Sequence, residues 1–290
     1  MSHLTFTLIQ TNLHWENKAA NLQMLEEKIN ALQHPTQIIV LPEMFNTGFS
    51  MKPEEFAEDM NGPTVDWMKK IAAAKRVIVT GSLMMKEIET GQTGEAGPTH
   101  YFNRLIWMLP NGQYAVYDKR HLFAYADEDK HYTAGAKRLI ASVNGFKINL
   151  QVCYDLRFPV WTRQQTNRIS TPPDTSSTPF DSAQDFVPEY DVLIYVANWP
   201  ERRVHAWKTL LTARAIENQC YVIAVNRTGN DGNDIYHSGN SMVIDAMGEV
   251  LYEKEHEEDV FTITLSKEKL EEIRHKLPFL KDGDAFSILP

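Results

Sequence analysis

The segment "FKINLQVCYDLRFP", residues 146–159, changes its character abruptly at Cys153. The run "FKINLQV" has the continuous apolar pattern of a buried strand, and polar and aromatic residues follow it at once. Pro159 suits the first turn of a helix. A cysteine at such a break has two interpretations. It is either a small apolar filler or a thiol that the end of the strand presents to a substrate.

Strands and helices alternate on both sides of this segment, and some strands form hairpins instead. Strands are predicted at 4–12, 37–43, 77–85, 190–197, 220–226, 241–253 and 260–265, and helices at 17–33, after 61–63, at 203–219 and at 266–277. The dipeptides Asn111-Gly112 and Asn144-Gly145 predict tight hairpin turns. This pattern predicts an α/β protein with a mixed sheet or two packed sheets and outer helices, forming one domain over residues 1–290.

Composition excludes several classes of function. The 290 residues include 29 basic and 38 acidic side chains, for a net charge of −9, and no basic stripe that would bind nucleic acid. No apolar stretch is long enough for a membrane span, and the first residues predict a strand and not a signal peptide. Two cysteines in apolar contexts, Cys153 and Cys220, favour a reducing cytoplasm. The histidines lack ligand spacing, so neither a metal nor a cofactor is expected.

Three predicted strands end in a residue that could take part in catalysis. "IIVLPE" ends at Glu43, "YAVYDK" at Lys119 and "INLQVC" at Cys153. In sheets covered by helices, ligands bind beyond the carboxyl ends of the strands, so an acid, a base and a thiol could converge there. Taken singly, Glu43 also fits a solvated loop carboxylate, and Lys119 fits the polar turn "DKRH".

The order of several motifs adds a resemblance to this argument. The stretches "LPEMF", "DKRHLF", "VCYDLRFPVW", "YVANWP" and "RAIENQCYVIAVNRTG" follow one another along the chain. The sequence resembles the nitrilase, or carbon–nitrogen hydrolase, superfamily over nearly its whole length, and it looks most like the ω-amidase branch. The resemblance implies a four-layer αββα sandwich that assembles into a homodimer or a higher homo-oligomer.

The same resemblance implies catalytic roles. Cys153 would be the nucleophile, Glu43 the general base, Lys119 the group that stabilises the tetrahedral intermediate, and Glu128 a further catalytic glutamate. A soft thiolate and an oxyanion stabiliser suit attack on an amide, which is a poor electrophile. We expect Lys119 and a nearby helix N-terminus to lower the pKa of the Cys153 thiol. The backbone N–H of Tyr154 could join Lys119 as an oxyanion donor.

The expected substrate is a small amide that carries a carboxylate, such as 2-oxoglutaramate or 2-oxosuccinamate, hydrolysed through a thioester. Arginine binds carboxylates in a bidentate pose, and four arginines follow the motifs: Arg157, Arg202, Arg203 and Arg227. Aromatic walls of the pocket are expected from Phe45, Tyr125 and Trp199. The predicted substrate-binding set is Phe45, Tyr154, Arg157 and Trp199.

Two segments depart from the family pattern. Residues 167–189 are rich in proline, serine and threonine and predict an exposed insertion. Because its flanks lie near the predicted site, the insertion could border the pocket entrance; a surface loop unrelated to substrate fits equally well. The tail, residues 278–290, ends in apolar residues of the kind that dock onto a core or a neighbouring subunit.

Other functions remain open at this point. A cysteine–histidine hydrolase or acyltransferase would use His121, His205 or His237 as its base, whereas a non-catalytic binding module would keep only the fold. Within the superfamily, an N-carbamoyl amidase, another aliphatic amidase or a nitrile hydratase-like enzyme would use the same three residues. We interpret His121 and His131 as residues that hold their loop by hydrogen bonds, and Cys220 as structural.

Overall fold

A computed structural model of the chain describes residues 2–90, 96–164, 187–284 and 286–288. Within these ranges the strands are β1 His3–Gln10, β2 Ile38–Val40, β3 Ile78–Thr90, β4 Ala96–Met108, β5 Tyr114–Asp118, β6 Ile140–Val143, β7 Phe146–Val152, β8 Val192–Ala197, β9 Tyr221–Asn226, β10 Thr228–Asn230, β11 Tyr236–Ile244, β12 Val250–Glu255 and β13 Asp259–Ser266. The α-helices are α1 Lys18–Asn30, α2 Pro53–Phe56, α3 Pro63–Lys75, α4 Glu128–His131, α5 Pro159–Thr162, α6 Val204–Asn218 and α7 Lys267–Lys276. Each strand and helix predicted from the sequence has a counterpart among them.

The strands form two mixed sheets. The first has the order β13-β1-β2-β3-β4-β5, and the second has the order β10-β11-β9-β8-β7-β6 with β12 paired to β11. The pairing at the centre of each sheet is parallel: β2 lies between β1 and β3, and β8 lies between β7 and β9. It brings several carboxyl ends to one edge. Antiparallel hairpins extend the sheets outward. The predicted choice between one mixed sheet and two packed sheets is therefore decided in favour of two.

Alternation along the strands explains the layers. In β2, Ile38 and Val40 belong to the core between the sheets, whereas Ile39 and the following Leu41 belong to the cluster beneath the outer helices α1 and α3. A strand buried on both faces needs apolar side chains at every position, which is what "IIVL" provides. On the second sheet, Trp207 and Leu211 of α6 pack against the strands. The result is the predicted αββα sandwich.

The two predicted hairpin turns join strands as expected. Asn144 and Gly145 have φ angles of +47° and +80°, and they connect β6 to β7. Asparagine and glycine tolerate this left-handed backbone better than other residues, which is why the dipeptide predicts the turn. Gly112, with φ +81°, lies in the connection between β4 and β5.

The two segments that depart from the family pattern are only partly visible. Residues 167–186 of the predicted insertion lie outside the described residues, so its predicted position at the pocket entrance stays a hypothesis. Leu280 of the tail is buried and Ile288 packs against the main core, so part of the tail docks onto its own chain. None of the helices in the described ranges is long and apolar enough to cross a membrane.

Candidate active site

Glu43 lies just beyond β2, with its side chain completely buried. Its Oε1 accepts hydrogen bonds from Lys119 Nζ at 2.9 Å and Asn103 Nδ2 at 2.8 Å, and its Oε2 accepts one from the backbone N–H of Asn198 at 2.8 Å. The next residue, Met44, has φ +45°, so the chain turns sharply at this point. The carboxylate is therefore held between the ends of both sheets.

Lys119 follows the last residue of β5 and is also completely buried. Its ammonium donates to Glu43 Oε1 at 2.9 Å and to the two carboxylate oxygens of Glu128 at 3.0 and 2.9 Å. Burial alone would lower the pKa of this ammonium, but the carboxylates of Glu128 and Glu43 outweigh burial and raise that pKa above its ordinary value. Lys119 thus stays a cation throughout the working pH range.

Glu128 begins the short helix α4 and brings a second buried carboxylate to Lys119. Its Oε2 accepts a hydrogen bond from the backbone N–H of Phe123 at 2.6 Å, and its Oε1 accepts one from Asn103 Nδ2 at 3.1 Å. Burial raises the pKa of Glu128, Lys119 opposes that effect, and Glu43 adds to it. Two carboxylates thus share one ammonium, and all three side chains are completely buried.

Cys153 stands where β7 breaks into a 3₁₀-helix that spans Cys153–Arg157. Its φ of +44° is unusual for a residue with a side chain and marks a sharp turn after the strand. Buried Asp155 stabilises this turn, since its Oδ2 accepts a hydrogen bond from the N–H of Val152 at 3.0 Å. Cys153 is 9% exposed and lines a cavity.

Lys119 lowers the pKa of the Cys153 thiol as expected, but the net shift is in the opposite direction. Burial raises the pKa of Cys153 well above its ordinary value, Glu43 raises it further, and Lys119 and the backbone N–H of Asn198 only partly oppose them. The expected helix N-terminus is weak, because α5 has only four residues. A neutral thiol next to a carboxylate suits removal of the proton by a general base during the reaction.

The cavity that opens at Cys153 has a volume of about 250 Å³. Aromatic rings form much of its wall, including Phe49, Phe123, Tyr125, Tyr154 and Trp199. Asn198, Trp199 and Pro200, which follow β8, also line the cavity, as do Asp231, Ile235 and His237. Of the predicted substrate-binding residues, Tyr154, Arg157 and Trp199 line this cavity.

Three arginines also line the cavity, namely Arg157, Arg202 and Arg203. Arg157 lies over the Trp199 ring with its guanidinium carbon 5.0 Å from the ring centre, and Arg203 lies 5.0 Å over the Phe123 ring. Burial lowers the pKa of Arg203, and its positive neighbours Arg202 and Arg157 lower it further. In the described part of the chain no carboxylate forms an ion pair with any of the three, so the cluster attracts an anion.

Phe45 and Arg227 do not lie where the sequence suggested. Phe45 is completely buried between Trp67, at a ring distance of 5.9 Å, and the backbone of Gly81, where a Cβ would come within 2.8 Å of the ring. The turn at Met44 sends this ring into the layer beneath the helices and away from the cavity. Arg227 is completely buried as well, and it donates to Asn12 Oδ1 at 2.8 Å and to backbone carbonyls.

Two further titratable residues, His121 and Cys220, have structural surroundings. His121 donates its ring and backbone N–H groups to Asp155, as its interpretation as a loop-holding residue requires. Cys220 is buried at the start of β9, and burial raises the pKa of its thiol, which fits its structural interpretation. The described residues contain no cluster of three or more metal-ligating side chains.

Sequence reasoning missed two residues of the site. Asn103 lies inside β4, where a polar residue beside Arg104 in "YFNRLIWM" carries no recognisable signal. Asn198 lies in the motif "YVANWP", and its Nδ2 donates to the carbonyl oxygen of Glu43 at 2.6 Å. Its position directly after a buried strand was the signal that could have identified it.

Comparison with known proteins agrees with this geometry. The sequence matches the carbon–nitrogen hydrolase family over residues 5–171 and 187–275, and the interval between them falls within the predicted insertion. An omega-amidase from Yersinia enterocolitica is 37% identical over 290 residues, covering 100% of both chains. A 2-oxoglutaramate amidase from Bacillus subtilis is 29% identical over 281 residues, covering 96% of both chains. A solved structure from Xanthomonas campestris, a CN-hydrolase superfamily protein with an arsenic adduct in the active site, has a TM-score of 0.87 at 39% identity and covers 100% of both chains.

Two packed sheets with outer helices and a buried cluster of cysteine, lysine and glutamates define a nitrilase-superfamily sandwich. The chain belongs to the carbon–nitrogen hydrolase family. Its activity class follows from these relatives: it is an amidase, a hydrolase of carbon–nitrogen bonds other than peptide bonds.

Proposed function

We propose that this amidase uses Cys153 to hydrolyse the terminal amide of a small carboxylate-bearing substrate, such as 2-oxoglutaramate or 2-oxosuccinamate. One observation carries the proposal. The cavity that contains the Cys153 thiol is also lined by Arg157, Arg202 and Arg203, which have no carboxylate partner in the described residues. An amide at the thiol and a carboxylate at the arginines would satisfy both ends of the cavity at once.

In the first half-reaction, Glu43 takes the thiol proton while the sulfur of Cys153 attacks the amide carbon. A carbon–sulfur bond forms, and the carbonyl electrons move onto oxygen. The charge of Lys119 and the backbone N–H of Tyr154 stabilise the oxyanion. When the carbon–nitrogen bond breaks, the proton held by Glu43 leaves with the nitrogen as ammonia, and a thioester remains.

In the second half-reaction, water attacks the thioester and gives a proton to Glu43. The carbon–sulfur bond breaks, the acid leaves, and the proton returns to the sulfur of Cys153. The sum is one amide and one water converted to one acid and one ammonia. The raised pKa of the Cys153 thiol supports a general-base role for the neighbouring carboxylate, because the resting thiol keeps its proton.

The relatives favour an ω-amidase over other members of the superfamily. Two of them carry the names omega-amidase and 2-oxoglutaramate amidase. The aromatic wall and the arginine cluster suit a short chain with one charged end. An N-carbamoyl amine or a plain aliphatic amide is the alternative substrate class, because the catalytic cluster would serve either equally well.

The test is ammonia release from 2-oxoglutaramate, succinamate, glutamine and an N-carbamoyl amine. Wild type is compared with Cys153→Ala and Glu43→Gln, and Cys220→Ala serves as the matched cysteine control. Release from the oxo acid amide or succinamate that is lost in the first two variants and kept in the control supports the proposal. Release from the carbamoyl compound alone would keep the catalytic cluster but assign the enzyme to N-carbamoyl amine substrates. Activity retained in Glu43→Gln but lost with His121→Ala would replace the mechanism by a cysteine–histidine one.

Cytoplasmic location and assembly into a homodimer or a higher homo-oligomer stay predictions alongside this proposal. Cell fractionation tests the first of these, and sedimentation velocity of the purified protein tests the second.

A further inference from the structure

Asn103 contacts Glu43, Lys119 and Glu128, using its backbone carbonyl for the lysine and its side-chain amide for the two glutamates. Its backbone carbonyl accepts a hydrogen bond from the backbone N–H of Lys119 at 3.0 Å. Its side-chain Nδ2 donates to Glu43 Oε1 at 2.8 Å and to Glu128 Oε1 at 3.1 Å. The residue is 1% exposed, so water does not compete for these bonds.

The cluster that it bridges is short of positive charge. Glu43 and Glu128 are both completely buried, and Lys119 is the one cation that bonds them within the described residues. The Oε1 atoms of both carboxylates converge on the same two donors, Lys119 Nζ and Asn103 Nδ2. Two ionised carboxylates that close together repel one another unless donors lie between them.

The chemistry of the amide sets its orientation. Ionised carboxylates only accept hydrogen bonds, so the NH₂ end of Asn103 must face Glu43 and Glu128. The opposite atom, Oδ1, is buried and has no hydrogen-bond partner in the described part of the chain. The side chain is therefore held through its donor end alone, and its polar contacts serve the two carboxylates.

We infer that Asn103 is a positioning residue that keeps Glu43 and Glu128 ionised side by side and aims Glu43 at the thiol. The inference rests on the proposed function, in which Glu43 is the general base. A neutral donor suits this task because it separates two negative charges and adds none. Aspartate at the same position would add a third negative charge, and leucine would fill the space without donating.

The experiment compares pH profiles of kcat/KM for wild type and Asn103→Leu. We expect the acidic limb of the Asn103→Leu profile to move up by about one pH unit and its maximum to fall roughly 10- to 100-fold. KM should change by less than about threefold, because Asn103 does not line the cavity and should not affect ground-state binding. Asn103→Asp should move the acidic limb further in the same direction.

A matched control separates this role from packing. Asn46 is equally buried, at 1% exposed, but its amide donates to Thr64 Oγ1 at 3.0 Å, away from the cluster. Asn46→Leu should lower the melting temperature and leave the acidic limb where it is. If Asn103→Leu fails to fold, the profile of the isosteric Asn103→Asp decides the question.

Two outcomes overturn the inference. One is an acidic limb that stays in place in both Asn103 variants, and the other is a shift of equal size in Asn46→Leu. Both outcomes require an active wild type with a Glu43-dependent rate, so they differ from failure of the proposed function. If the proposed function itself fails, wild type releases no ammonia, or Glu43→Gln remains active.

Discussion

Asp155 accepts two hydrogen bonds from His121, one from the backbone N–H at 3.0 Å and one from ring Nδ1 at 2.8 Å. Its other oxygen accepts the O–H of Tyr117 at 2.7 Å and the N–H of Val152 at 3.0 Å. One buried carboxylate thus joins the end of β5, which carries Lys119, to the turn that carries the nucleophile.

Replacing Asp155 should therefore damage catalysis as well as stability. In Asp155→Asn one oxygen becomes a donor facing other donors, so we expect a loss of about 1–3 kcal/mol in the free energy of unfolding. We also expect kcat to fall at least about tenfold, because the lysine and the thiol lose their fixed separation. Urea unfolding and steady-state kinetics measure the two effects.

The control for this variant is another buried carboxylate that is remote from the cavity. Asp191 is 2% exposed and pairs with Arg274 at 2.8 Å. Asp191→Asn should lose stability and keep kcat within about twofold of wild type. Equal losses of kcat in the two variants would mean that Asp155 acts only through overall stability.

Arg157 should decide preference for a carboxylate. It follows the nucleophile in the same 3₁₀-helix and is held over Trp199. In Arg157→Met the apolar stem is kept and the charge is lost, so kcat/KM for succinamate should fall by about 10²-fold or more. The rate with butyramide, which has no carboxylate, should change little. Equal losses for both substrates would contradict a role in binding the carboxylate.

The Cys153 thiol should lose its proton only at a pH above the usual range for thiols. Because burial and Glu43 raise its pKa, the rate at which methyl methanethiosulfonate modifies Cys153 should still be rising above the ordinary thiol pKa of about 8.5. Mass spectrometry of the modified protein gives the rate, with Cys153→Ala correcting for Cys220. A rate that levels off below neutral pH would show a preformed thiolate and contradict this picture.

Because His237 is buried, we expect the protein to lose stability in acid. Burial and the positive charge of Arg227 lower its pKa to about 4, whereas the unfolded chain has the ordinary value near 6.5. Between these values the unfolded state binds a proton that the folded state does not, so stability falls as pH drops through the window. Wild type should lose about 2 kcal/mol more than His237→Gln between pH 7 and pH 5.

Urea unfolding at the two pH values measures this difference. His34 is exposed, so His34→Gln should follow the wild-type dependence on pH. Identical slopes for wild type and His237→Gln would mean that the folded protein accepts the proton at His237 after all.

Much of the fold was predictable because most of the strands have a recognisable pattern in their own stretch of sequence. Continuous apolar runs such as "IIVL" predict strands covered on both sides, and the Asn144-Gly145 turn needs a backbone that few other residues tolerate. The pairing between strands was less accessible. It joins β1 near the start of the chain to β13 near its end, and no local pattern encodes a contact over that separation.

The sequence by itself determined the layers, the family and the positions of Glu43, Lys119 and Cys153, because strand ends and short motifs are local signals. Only the tertiary structure decided their surroundings. It placed Asn103 between two carboxylates, turned Phe45 away from the cavity at Met44, and raised the pKa of the thiol where the motif suggested a lower one. The physical reason is that burial and charge at a site are sums over residues distant in the chain. These contributions combine only when the two sheets pack together, so no single stretch of sequence reveals them.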